Sequence, residues 1–124
     1  PAEMLPPSPM EEDNAARNPQ ILDLIEALGQ EIALDLVTRF GADLDEVEAK
    51  LRLAVEAGNT AEMDDLLHTF KGTALTLGME RSGKAAQEMR QSLPISGSQL
   101  DQLIAFARDD ERKARSTLGI VEAA

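Results

Sequence analysis

The sequence predicts an all-α fold, an up-and-down antiparallel four-helix bundle with a short additional N-terminal helix. Three observations predict it. Apolar residues recur at three- and four-residue steps through most of the chain, and no stretch alternates as a strand would. Aromatics are scarce, with three Phe and neither Trp nor Tyr, so Leu, Ala, Ile, Val and Met carry the apolar content, as suits helices packed on helices. Short breaks at Gly, Asn and Pro divide the periodic stretches, and short loops make sequential helices antiparallel neighbours.

The first stretch, "PAEMLPPSPMEEDNAAR", is rich in Pro and acidic residues and reads as a flexible tail or linker over 1–17. It has neither the basic region nor the apolar run of a signal peptide. Order is expected from Asn18, with a bundle over 18–119 and a C-terminal tail over 120–124. Asn18 caps the first helix and Pro19 fits its first position, where no backbone N–H is needed. Gly29 stops it.

The second helix is expected from about Gln30 to Ala57. Its apolar stripe is Ile32, Leu36, Val37, Phe40, Leu44, Val47, Leu51, Ala54 and Val55, and Gly58 ends it. Asn59 with Glu62 resembles a capping box for the third helix, "TAEMDDLLHTFKGTALTLG", which Gly78 stops. A fourth helix is expected from about Met79 to Ser92, closed by "LPISGS". A fifth runs from about Ser98 to Leu118, with Leu100, Leu103, Ile104, Ala107, Glu111 and Ala114 on related faces.

Composition excludes several functions. There is no cysteine, hence no disulfide, thiolate metal site or thiol catalysis, which fits a cytoplasmic location. No run approaches the roughly 20 apolar residues of a membrane span. A net charge of −11 argues against a nucleic-acid partner and favours one with basic patches.

The third helix holds the only histidine. At about 100° per residue, Met63, Leu66, Leu67, Phe70, Ala74 and Leu77 share one arc, the core face. His68 falls opposite, beside Lys71, Gly72 and Leu75, with Asp64 and Asp65 one turn earlier. The imidazole is therefore expected at the surface. Gly72 inside a helix costs about 1 kcal/mol relative to Ala, and its missing side chain leaves room for something to approach the ring. Lys71 lies within reach of an anion held there.

Neutral imidazole is a nucleophile available near neutral pH, and a phosphoryl group spreads its charge over oxygens that an ammonium can steady. The face lacks an acid–base partner, a metal cluster and a phosphate-cradling loop. One His and two Asp on one helix are too few ligands for a metal site. Two readings stay open from the residues alone. One is a solvated helix face, with an ordinary contact between His68 and Asp64. The other is a nucleophile presented to another protein's catalytic pocket.

"HTFKGTALTLG" resembles the signature of histidine-containing phosphotransfer (HPt) domains, roughly H-x-x-K-G-x-x-x-x-x-G, with His68, Lys71, Gly72 and Gly78 in register. "LRLAVEAGNTAEMDDLLHTFKG" is similar to the family's long helix, short turn and His-bearing helix, and "MERSGKAAQEMR" to the segment that follows. The resemblance covers about residues 20–118. It implies that His68 accepts a phosphoryl group from a receiver-domain aspartate, on the ring nitrogen farther from the backbone, and passes it to another receiver. Lys71 would hold the group and Gly72 would keep the approach clear. The implied partners are response-regulator receiver domains and a sensor or hybrid histidine kinase. Mg²⁺ would belong to the receiver, with no intrinsic cofactor here. Leu75, Asp64, Asp65, Phe40 and Leu44 are candidates for the receiver contact, burial in the bundle being the competing expectation for Phe40 and Leu44. The Gly-rich ATP-binding segments of a kinase are missing, so the chain is expected to be a phosphoryl carrier and not an autonomous kinase. The alternative is an HPt-like module that binds a receiver or other partner without phosphotransfer. Two positions depart from the family's habit, Ser82 where a large apolar residue is common and Arg90 near a usually acidic position. Both are expected to bear on the fourth helix's packing and register rather than on the histidine.

Overall fold

The computed structural model describes residues 18–123, with side chains described through residue 119. The acidic segment 1–17 lies outside the described residues. Five helices follow one another: α1 Pro19–Leu28, α2 Gln30–Ala57, α3 Thr60–Thr76, α4 Glu80–Arg90 and α5 Gly97–Ala123, with no strand among the described residues. Helices α2, α3, α4 and α5 pack in a ring of antiparallel neighbours, and α1 lies against α2 and α5.

The ends follow from local chemistry. The Asn18 side-chain oxygen accepts from the backbone N–H groups of Gln20 and Ile21, satisfying two donors of the first turn. Its amide donates to the Leu77 carbonyl at 2.8 Å, and its own backbone N–H donates to Thr117 Oγ1 at 2.8 Å. One buried Asn thus ties the start of α1 to the end of α3 and to α5. Gly78 sits in the turn beneath it at φ +73°, a conformation other residues rarely adopt, and a Cβ there would collide with Asn18 and Gln20.

Only half of the expected capping box at α3 forms. Asn59 Oδ1 accepts from the Glu62 N–H at 3.1 Å, but the Asn59 N–H already donates to the Ala54 carbonyl at 2.9 Å, closing α2. A complete box occurs instead at α5. The Ser96 N–H donates to Gln99 Oε1 while the Gln99 N–H donates to Ser96 Oγ. The helix therefore starts at Gly97, and it continues through Ala123, so most of the expected 120–124 tail is helical. Helix α4 is shorter than expected and ends at Arg90.

The core draws on every helix, with Ile21, Val37, Leu51, Leu67, Met79, Leu100 and Leu103 almost fully buried. Phe40 of α2 meets Phe70 of α3 with ring centroids 5.9 Å apart. The expected stripe of α2 needs one correction: Ala33 is buried, whereas Ile32 is exposed, beside exposed Leu28 and Leu34.

Ser82 has a definite packing role. It is fully buried, and both its N–H and its Oγ donate to Asp110 Oδ2 of α5, at 3.0 and 2.8 Å. Met79, at the N-cap position of α4, provides no side-chain cap. Asp110 serves that first turn from across the bundle, and an acidic group suits a helix N-terminus.

Candidate functional site

Helix α3 presents to solvent the face its periodicity predicts. Met63, Leu67, Phe70, Ala74 and Leu77 are buried and Leu66 is partly buried, which fixes the helix's rotation. His68 is consequently exposed, with Lys71 half-buried and Gly72 exposed within one further turn. Lys71 forms no ion pair among the described residues, although many of the chain's other cations do.

Gly72 is informative because the fold does not require it. A Cβ at that position would meet nothing within 4 Å, and the backbone is ordinary helix. A packing reason for the missing side chain is therefore absent. Gly83 on α4 is the opposite case: its Cβ would lie 2.6 Å from Leu75 Cδ2 and 2.8 Å from Leu75 Cγ. There the glycine lets α4 press against α3.

That close approach sets the register of the two antiparallel helices. Two helical turns from the Leu75–Gly83 contact, His68 on α3 comes beside Arg90 at the end of α4. Arg90 Nη1 lies 3.0 Å from His68 Nδ1, and Arg90 Nε donates to Asp64 Oδ1 at 2.8 Å. The Arg90 side chain as a whole is 24 % exposed, so it lies along the helix pair. Its hydrogen bond to Asp64 holds that carboxyl below the ordinary carboxylate range, aided by the Arg90 charge and by His68.

This corrects the expectation that the departure at Arg90 bears on the packing and register of α4 rather than on the histidine. It also replaces the expected direct contact between Asp64 and His68: the carboxylate reaches the ring through the guanidinium. Sequence reasoning missed Arg90 as a site residue because its contact depends on helix register. The signal was the equal heptad spacing of His68 to Leu75 and Gly83 to Arg90, readable once Gly83 is taken as a contact point.

The candidates for a partner contact separate. Asp65 is exposed, and Leu75 is 40 % exposed beside Gly83. Phe40 and Leu44 are 2 % and 1 % exposed, so burial wins at both positions. Their phase was ambiguous because α2 is covered by α1, α3 and α5, which widens its buried arc. They form part of the lining of a groove between α2 and α3, with Lys50, Thr69 and Thr73 at its sides, and offer little side-chain surface of their own.

No group of three or more metal-ligating side chains occurs among the described residues, and no helix there is long and apolar enough to cross a membrane. The arrangement offers one accessible imidazole, an unengaged ammonium, an open approach and a guanidinium on the inner ring nitrogen. No curated protein and no solved structure matches the chain significantly. The Hpt domain does match, over residues 35–112, a span that holds His68, Lys71, Gly72 and Arg90 and runs from early α2 into α5. The chain belongs to the Hpt domain family, and with it to the histidine phosphotransfer proteins of phosphorelays.

Proposed function

We propose that His68 is the phosphoacceptor. Its Nε2 takes the phosphoryl group from the aspartyl phosphate of a response-regulator receiver domain and returns it to the aspartate of another. In the forward step the P–O bond of the acyl phosphate breaks as the Nε2–P bond forms, and the receiver regains its carboxylate. Hpt domains in general interact with receiver domains and kinases. A sensor or hybrid histidine kinase would feed the relay in the cytoplasm, and the receiver would bring the acidic pocket and the Mg²⁺.

One observation carries the reading: an exposed histidine stands one turn from a glycine that nothing in the fold requires. The transferring group passes through a state with its charge spread over three oxygens. Lys71 is placed on the same face, with no competing carboxylate, to steady that charge. Gly72 leaves the partner's loops free to reach the ring. Asp65 and Leu75 flank the approach as docking contacts, and Phe40 and Leu44 act by shaping the groove beside it.

The test is transfer in both directions. A phosphorylated receiver mixed with this protein and Mg²⁺ should label the protein, and a second, unlabelled receiver should remove the label. His68→Gln should accept nothing while keeping its helix content. A label retained in that variant would place the acceptor elsewhere. Stable receiver binding without transfer in the wild type would favour an interaction module.

A further inference from the structure

Arg90 has donors only, so a hydrogen bond to His68 requires Nδ1 to accept. A neutral imidazole that accepts at Nδ1 carries its proton on Nε2. We propose that Arg90, anchored by Asp64, is a positioning residue that latches the His68 ring: it holds the resting ring as the Nε2–H tautomer and keeps Nδ1 of the phosphorylated ring unprotonated. The first half stands on the contact alone. The second rests on the phosphoryl-carrier reading.

The consequence for transfer follows from the ring's protons. A neutral ring attacks through Nε2 only when its lone pair is there, so the proton must be on Nδ1, where Arg90 sits. The Nη1 contact with Nδ1 has to break before attack, whereas the separate Nε bond to Asp64 need not. Once the Nε2–P bond has formed, the ring is a cation protonated at Nδ1. Loss of that proton to water restores the lone pair, and Arg90 donates to it again. In the reverse step the ring leaves as neutral imidazole after Nδ1 has regained a proton, and the guanidinium blocks that proton too. Arg90 therefore opposes both attack and loss of the group while its hydrogen bond is made, and it lets the group persist between partners. Gly83 supports the latch by bringing α4 close enough for the arginine to reach.

The experiment uses the whole chain with ¹⁵N-labelled histidine. There is a single histidine, so the ring spectrum needs no assignment. At alkaline pH, long-range ¹⁵N–¹H spectra of the unphosphorylated protein should show Nε2 protonated and Nδ1 bare. A charge-assisted hydrogen bond biases a two-state ratio by about tenfold or more, so Arg90→Ala should shift the ratio measurably toward the Nδ1–H form. Asp64→Asn, which keeps the arginine but removes its anchor, should shift it partway. An unchanged ratio in Arg90→Ala with helix content intact would overturn the latch. Phosphoramidate, a small phosphoryl donor, then labels the ring without any partner. At neutral pH the label should be lost at least several-fold faster from Arg90→Ala than from wild type, and equal lifetimes would overturn the second half. A wild type that takes no label from phosphoramidate or from any receiver would overturn the phosphoryl-carrier reading, while the spectra would still decide the tautomer.

Discussion

Replacing Gly72 by Ala separates what the bundle needs from what transfer needs. The new methyl would meet nothing within 4 Å, so it brings neither a clash nor a packing gain. The backbone there is already helical, and the Gly72 carbonyl already accepts from Thr76 Oγ1 at 2.8 Å. What remains is intrinsic propensity, about 0.8–1 kcal/mol in favour of Ala in a helix interior. Gly72 stands near the C-terminal turn of α3, which trims the gain to about 0.5–1 kcal/mol. With an m-value of about 1.5 kcal/mol/M, the urea midpoint should rise by about 0.3–0.7 M. Transfer should move the other way. Gly72→Leu, with a side chain projecting into the approach to His68, should slow phosphorylation by a receiver at least about tenfold, equivalent to about 1.4 kcal/mol in the barrier. Urea unfolding followed by far-UV circular dichroism reads the first effect, and single-turnover transfer reads the second. A lower midpoint for Gly72→Ala would mean that the fold requires this glycine. Wild-type transfer by Gly72→Leu would remove the close-approach argument.

Lys71→Ala should slow transfer by about 10–100-fold, the equivalent of one lost charge-assisted hydrogen bond, with receiver affinity little changed; stopped-flow transfer and a binding titration check the two separately. Asp110→Ala should destabilise the bundle by about 1–3 kcal/mol, because it leaves the buried Ser82 N–H without its acceptor while the Ser82 hydroxyl keeps the Met79 carbonyl, and a urea midpoint checks it. Asp64 is held below the ordinary carboxylate range by Arg90, so its contribution to stability is fully present above the unfolded value near about 3.9 and is lost as pH falls through the lower folded value. Unfolding titrations should therefore show a gap between wild type and Asp64→Asn that is present at neutral pH and closes as pH falls through the carboxylate range.

Much of the fold is legible because its signals are local. Asn18 and Asn59 mark helix starts by their side-chain caps, Gly58 and Gly78 mark helix ends by their positive φ, and the core arc of α3 follows from counting residues around one axis. The same count places His68, Lys71 and Gly72 on the outer face before any packing is known. What escaped depends on relations between helices. Whether Phe40 and Leu44 are buried depends on how many neighbours cover α2, and one helix's periodicity does not report that. The role of Ser82 depends on Asp110, 28 residues away on α5. Arg90 reads as a departure on the fourth helix until Gly83 sets the distance and register that bring it to the histidine ring. The Ser96 and Gln99 capping box is local too, and it starts α5 at Gly97, one residue before the expected Ser98.

The most direct test of the account is to locate the phosphoryl group on the wild-type protein after transfer from a receiver. Fragmentation under alkaline conditions should place the phosphate on the peptide containing His68, with an acid-labile, base-stable linkage, on Nε2 of the ring. A phosphate found on any other residue, or a linkage stable to acid, would contradict it.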